Sequence, residues 1–199
     1  MAFARLLFEI SLVVTLKDTQ GEHTFMANAQ HLARLKQGVE EWNQWRQEHH
    51  EIQPDLSEAD LHAVSLRRIN LSHTLLRGTN LQHADLLEAL LNKADCTSAN
   101  LTQANLGSAD LNQTNLHSAI LWKADLRFAI LSGTNLRDAD LQEALLSGAD
   151  LTGALLTGAN FKNADLSNVD LSTALREGAH LGQAYYNPHS PHTHDKEQP

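Results

Sequence analysis

Aromatic residues make up only 5% of this 199-residue chain. So few large rings leave an irregular core hard to fill at the density of a protein interior, which favours a repeated packing unit of smaller side chains. Cysteine occurs once, as Cys96. No intrachain disulfide, redox pair or cysteine-based zinc site can then be built, and a lone thiol is expected to be buried in place of leucine. Excess positive charge is missing as well, with 24 Asp and Glu against 15 Lys and Arg and a net charge of −9. A phosphate-binding face needs a basic stripe, so direct binding of nucleic acid is not expected. No apolar run is long enough to span a bilayer. Nor is there a Gly-rich phosphate loop, a nucleophile elbow or an HExxH helix, so neither an enzymatic reaction nor a cofactor is expected.

What is present divides the chain into segments. Residues 1–27 form an N-terminal extension in which Arg5 precedes LLFEISLVVTL, the order of a signal peptide. Glu9 interrupts that run, and the only A-x-A lies well downstream at Ala27–Ala29. Phe8, Ile10, Leu12, Val14 and Leu16 alternate with mostly polar residues, as in a half-buried strand. The segment is read as a short strand or as an upstream start, with Met26 as alternative initiator. The location expected is cytoplasmic, export through residues 1–29 as a weak signal sequence being the alternative. Residues 28–54 hold an amphipathic capping helix and an entry segment. Over 28–48, Leu32, Leu35, Val39, Trp42 and Trp45 recur at spacings of three and four, after Asn28 as N-cap. Gly38 weakens this helix by about 1 kcal/mol relative to Ala.

From Asp55 the register is strict. Leu stands at every fifth position from Leu56 to Leu181, 26 quintets in all, with only Cys96, Phe161 and Arg176 departing from it. Two residues before each centre is a small or β-branched residue, usually Ala, and between the two is usually Asp or Asn. A period of five suits neither the 3.6 of a helix nor the 2.0 of a strand. The chain must turn once per quintet to keep Leu and Ala inside, and four turns close a square circuit of twenty residues. Asp and Asn suit the outer position because they bond local backbone and tolerate turns.

The motif A(D/N)LXX, as in Ala104–Asn105–Leu106–Gly107–Ser108, resembles the pentapeptide-repeat family. The lead-in GVEEWNQWRQEHHEIQPDLSEADL is similar to the entry segment of bacterial, especially cyanobacterial, members. The resemblance implies an all-β solenoid over residues 55–186, a right-handed quadrilateral β-helix of about six to seven coils with an N-terminal α-helical cap. The open ends of such a rod need closing, by the helix at one end and by Tyr185 and Tyr186 at the other. Residues 187–199 form a His-containing tail without apolar anchors, expected to be disordered.

Sites of chemistry are few. Counting in twenties stacks Asp150 on Asp170, with Asp110 two coils earlier and Ile130 between; mild repulsion is the expectation there. His189, His192 and His194 form an H-x-x-H-x-H tail without a rigid framework, so no metal site is expected. The outer positions are more informative. Leu75, Leu90, Ile120, Ile130, Leu145, Leu155 and Leu175 replace Asp or Asn there. Ile120, Trp122, Phe128 and Ile130, all within one coil, are the candidate partner-binding residues. The function expected is a non-catalytic protein-protein interaction module, a scaffold or regulator. Its partner would be another protein, or a second copy in a homodimer formed through an end or an exposed apolar face. The resemblance also implies an alternative, a DNA mimic that binds DNA gyrase or topoisomerase.

Overall fold

The computed structural model describes residues 27–185, and one quintet shows how the chain folds. Ala119 and Leu121 are buried, while Ile120, Trp122 and Lys123 face outward. The Leu121 carbonyl accepts the Ala124 N–H at 3.0 Å, closing a turn. Its third residue, Lys123, has φ 56°. Four such turns complete a circuit of the chain. The Leu121 N–H then donates to the Asp140 carbonyl at 2.7 Å, and the Asp140 N–H donates back to the Ala119 carbonyl at 3.0 Å. Parallel bridges join residues twenty apart from Asp55 and Leu75 through to Asp165 and Tyr185.

The result is a four-sided rod, and each side can be named by its central leucine in the middle of the rod: Leu116, Leu121, Leu126 or Leu131. Inside run columns of Leu and columns of Ala. Cys96 and Phe161 occupy the Leu columns at 1% and 0% exposure, whereas Arg176 is half-buried. Threonine in the Ala columns is accommodated by donating its hydroxyl to the carbonyl 23 residues earlier. Thr79 reaches Leu56, Thr114 reaches Leu91 and Thr134 reaches Leu111, at 2.9, 2.7 and 2.7 Å. Thr74 would need residue 51, which precedes the first coil, and its buried hydroxyl finds no partner among the described residues.

The third turn residue is left-handed in every described quintet from Glu58 to Gln183 except at Thr173. Thr173 is also the only β-branched residue at that position. A side chain branched at Cβ clashes with the backbone at positive φ, so the local chain takes another path. The consequence is visible on the same side of the rod: Asp170 makes no bridge to Asp150, the one such step missing between Asp55 and Tyr185 among the described residues. The Gly153 N–H bonds the Thr173 hydroxyl instead, at 3.1 Å. Replacing Thr173 with Gly is therefore expected to let the turn take the left-handed conformation and restore the missing bridge, stabilising the protein by about 1 kcal/mol, the net worth of a hydrogen bond. Hydrogen exchange at Gly153 and Asp170 should slow in the variant; unchanged exchange and melting would refute the assignment.

The helical segment differs from the single helix expected over 28–48. It consists of α1 (Ala29–Leu35) and α2 (Val39–Glu48). Gly38 at φ 126° separates them, a conformation that no helix interior accepts. Asn28 caps α1, its side-chain oxygen taking the N–H groups of Gln30 and His31.

Side chains of α2 bond the exposed edge of the first coil. Trp42 Nε1 donates to the Asn70 carbonyl at 2.7 Å. Asn43 accepts the Asn70 N–H at 2.7 Å and donates to the Arg68 carbonyl at 2.9 Å. Arg46 donates to the carbonyls of Ser72 and Ile52, at 3.0 and 2.7 Å. One coil further along, the same edge is met by backbone instead, as when the Leu90 N–H donates to Ile69 and the Leu90 carbonyl accepts from Leu71. Side chains of α2 thus bond edge groups that one coil further along are bonded by backbone.

His31 makes this junction sensitive to pH. Its Nδ1 accepts the Asp55 N–H at 3.0 Å, which requires the neutral ring at that nitrogen. Burial lowers its pKa from the ordinary histidine value, as do the charges of Arg46 and Arg34, against the opposing pull of Asp55. A depressed folded pKa means that the stabilisation is complete above the unfolded pKa near 6.5 and is lost as pH falls through the folded value. Melting curves from pH 7.5 to 5 should show His31→Gln losing less stability on acidification than the parent. Half-exposure keeps the difference below about 1 kcal/mol. Parallel curves would contradict it.

Candidate functional site

The rod geometry separates the four candidate residues. Ile120 and Trp122 flank Leu121 on one side, Phe128 lies at the end of the Leu126 side, and Ile130 lies on the Leu131 side. Ile120, Phe128 and Ile130 are 40%, 67% and 44% exposed. Trp122 is half-buried, with Lys123 Nζ at 4.4 Å from its ring centroid and Glu143 in turn 3.2 Å from Lys123. The structure therefore brings Ile120 and Trp122 together but does not gather all four into one patch.

The apolar substitutions remove a local hydrogen bond. Where the outer residue is Asn or Asp, its side-chain oxygen takes the N–H two residues on, as Asn100 does for Thr102 at 3.1 Å. Ile120 and Ile130 offer no such oxygen. Most outer acids are accounted for by this turn bond and by amide ladders between coils, such as Asn80 Nδ2 to Asp60 at 2.9 Å and Asn115 Nδ2 to Asp95 at 3.2 Å.

Phe128 has a neighbourhood that sequence reasoning missed. Leu87, Gly107, Arg127 and Phe128 line a depression of about 240 Å³ on the Leu126 side, together with Asn105, Ser108 and Asp125. Arg127 grips Asp125 through Nε at 2.9 Å and Nη2 at 2.6 Å. That contact, opposed by partial burial, holds the Asp125 carboxyl below its ordinary range. On the same side Arg67 pairs with Asp85 at 3.0 Å and Arg68 with Glu88 at 2.6 Å. A signal was present in the sequence: Gly107 occupies the first outward position after the central Leu, not the left-handed one where Gly is useful.

Chemistry of other kinds is not assembled. Among the described residues no group of three His, Cys, Asp or Glu side chains is placed to hold a metal ion. Asp110, Ile130 and Asp150 do stack in that order. Cys96 is buried, which pushes its thiol pKa far up and leaves it inert. Among the described residues no helix is long and apolar enough to cross a membrane. The segment 6–16, Met26, Tyr186 and the histidines of the tail lie outside the described residues.

A sequence profile described as pentapeptide repeats matches residues 55–92, 94–133 and 134–172. The chain belongs to the pentapeptide-repeat family. Its four-sided circuit is the right-handed quadrilateral β-helix of that family, whose members are generally structural or interaction proteins. No curated protein sequence matches the chain. Among solved structures, the chain is similar to HetL from the cyanobacterium Nostoc, a pentapeptide-repeat protein involved in regulating heterocyst differentiation. That likeness has 32% identity, covers 67% of this chain and 74% of HetL, and has a TM-score of 0.32. A pentapeptide-repeat protein of the Arabidopsis thaliana thylakoid lumen is 28% identical over 59% of this chain and 68% of its own, with a TM-score of 0.41. QnrB1, a plasmid-mediated fluoroquinolone resistance protein, is 16% identical over 67% of this chain and 84% of its own, with a TM-score of 0.39.

Proposed function

We propose that this chain is a non-catalytic protein-binding rod, a scaffold or regulatory module of about six to seven coils closed at its N-terminal end by α1 and α2. In this reading residues 28–54 are cap and entry, residues 55–186 are the rod, and Ile120, Trp122, Phe128 and Ile130 contribute to partner contact. The observation that carries it is Phe128: an aromatic ring 67% exposed, on a backbone at φ 59° that disfavours bulky side chains. A positive φ at that position is shared by every described quintet but one, so what sets Phe128 apart is its exposed apolar ring, and such exposure is typical of binding surfaces. A rigid rod presents such a residue with little loss of entropy on association.

The test is quantitative capture of a specific partner from host extract by the full chain and by an Ile120→Ser, Phe128→Ser variant of equal melting temperature. The reading expects a partner held by the parent and lost or greatly reduced in the variant; equal capture by both would overturn it. The gyrase-binding alternative needs unpaired columns of carboxylate to imitate DNA. On the Leu126 side Asp85, Glu88 and Asp125 are each neutralised by arginine. A supercoiling assay with purified gyrase is expected to show neither inhibition nor protection.

A further inference from the structure

The two ends of the rod differ in the polarity of their backbone edges, and only one is met by a complement among the described residues. We propose that residues 188–199 lie back across the C-terminal end and close it, a role separate from partner contact at the sides.

One step between coils shows the polarity. Leu121 and Lys123 donate their N–H groups to the Asp140 and Gln142 carbonyls of the next coil, at 2.7 and 2.9 Å, and the Ala119 carbonyl accepts the Asp140 N–H at 3.0 Å. Each quintet thus offers two N–H groups and one carbonyl to the coil after it. To the coil before it, the quintet offers two carbonyls and one N–H. The N-terminal end of the rod is therefore carbonyl-rich, and what meets it is rich in donors. Asn28 N–H, Trp42 Nε1, Asn43 Nδ2 and Arg46 Nη2 reach the carbonyls of Asp55, Asn70, Arg68 and Ser72. Acceptors are fewer: Asn43 Oδ1 takes the Asn70 N–H and His31 Nδ1 that of Asp55. Cap chemistry follows edge polarity at that end.

The C-terminal end has the reverse polarity. The N–H groups of Leu171, Gly178, Leu181 and Gln183 stand in the places from which Leu121 and Lys123 donate, and they meet no acceptor among the described residues. Ala179, Leu181 and Ala184, which end the inner columns, are only partly buried. An edge of this kind calls for a cover that brings acceptors.

Another coil cannot supply it. The next left-handed turn position falls on Pro188, and the proline ring holds φ near −65°. Nor does a second copy fit. Two C-terminal ends would set N–H against N–H, and the carbonyl-rich end of a copy is already bonded by its own residues 28–46. What fits is an acceptor-rich segment, and the nearest is 188–199. It holds three of the chain's four prolines, Pro188, Pro191 and Pro199, each a carbonyl without an N–H. Asp195 and Glu197 add side-chain acceptors. The segment follows Tyr185 so closely that it is held at this edge at high effective concentration, and its length when extended, about 40 Å, lets it pass over the end.

The test is amide hydrogen exchange in the isotope-labelled full chain, compared with a variant in which residues 188–199 are replaced by a Gly–Ser sequence of equal length. In the parent, the amides of Leu171, Gly178, Leu181 and Gln183 should exchange roughly tenfold or more slowly than unstructured amides. In the variant these four should accelerate by a similar factor, while Leu121 and Lys123 in the middle of the rod stay unchanged. Exchange of the four parent amides at unstructured rates, or protection that survives the replacement, would overturn the proposal. Protection gained only on adding host extract would overturn it too, and would assign the end to an acceptor-rich segment of another chain.

Discussion

Trp42→Ala is expected to destabilise the protein by about 3–5 kcal/mol, the cost of removing a fully buried indole from a packed site. Trp42 has no exposed surface, and its ring lies 5.3 Å from that of Trp45. It also satisfies the Asn70 carbonyl on the first coil's edge. Trp42→Phe separates the two contributions. Most of the packing is retained, and the part-buried carbonyl is left without its donor, for a cost of about 1 kcal/mol. In both variants hydrogen exchange should accelerate first in α1, α2 and the first coil, because each coil of a repeat rod leans only on its neighbours. Uniform acceleration along the rod, or a Trp42→Ala variant as stable as the parent, would show that α2 does not hold that end.

The second large effect concerns the other half of the rod. Phe161 is fully buried in the leucine column of the Leu121 side, between the circuits of Leu141 and Leu181. Phe161→Ala leaves a cavity the neighbouring coils cannot close without giving up their bonds, for example Leu141 N–H to the Asn160 carbonyl at 2.8 Å. The expected loss is about 3–5 kcal/mol. Phe161→Leu restores the residue found elsewhere in the column and should cost less than about 1.5 kcal/mol. Denaturant melts of the two variants check this, and equal midpoints would contradict it.

Sequence reading reached the architecture because the period is short and strict. Once five residues make one turn, twenty make a circuit, and burial of Ala119, Leu121 and Cys96 follows without knowledge of any contact. Other features depended on the path of the chain. The split at Gly38 was hidden because Leu35, Val39 and Trp42 keep helical spacing across it, so periodicity sees one helix where the backbone makes two. Ile120 and Ile130 read as neighbours along the chain, yet ten residues are half a circuit and place them on opposite sides. The depression at Gly107 was only partly legible: the glycine stands at an unusual place in its quintet, but Leu87 and Phe128, which line the depression with it, lie in different coils on either side of its own. Thr173 reads in the sequence as one more outer residue, and only its backbone conformation sets it apart from every other described residue at that position.

The twenty-residue circuit underlies each of these assignments, since it decides which outward residues share a side. It is tested most directly by oxidising two double variants, Gln103→Cys with Lys123→Cys and Gln103→Cys with Gln113→Cys, with Cys96 buried and out of reach. Residues 103 and 123 occupy the same turn position in adjacent coils, about 4.8 Å apart, within the range of about 4.4–6.8 Å that a disulfide bridges. Residues 103 and 113 lie on opposite sides of the rod. The account predicts complete cross-linking in the first variant and none in the second; cross-linking of the second, or failure of the first, would contradict it.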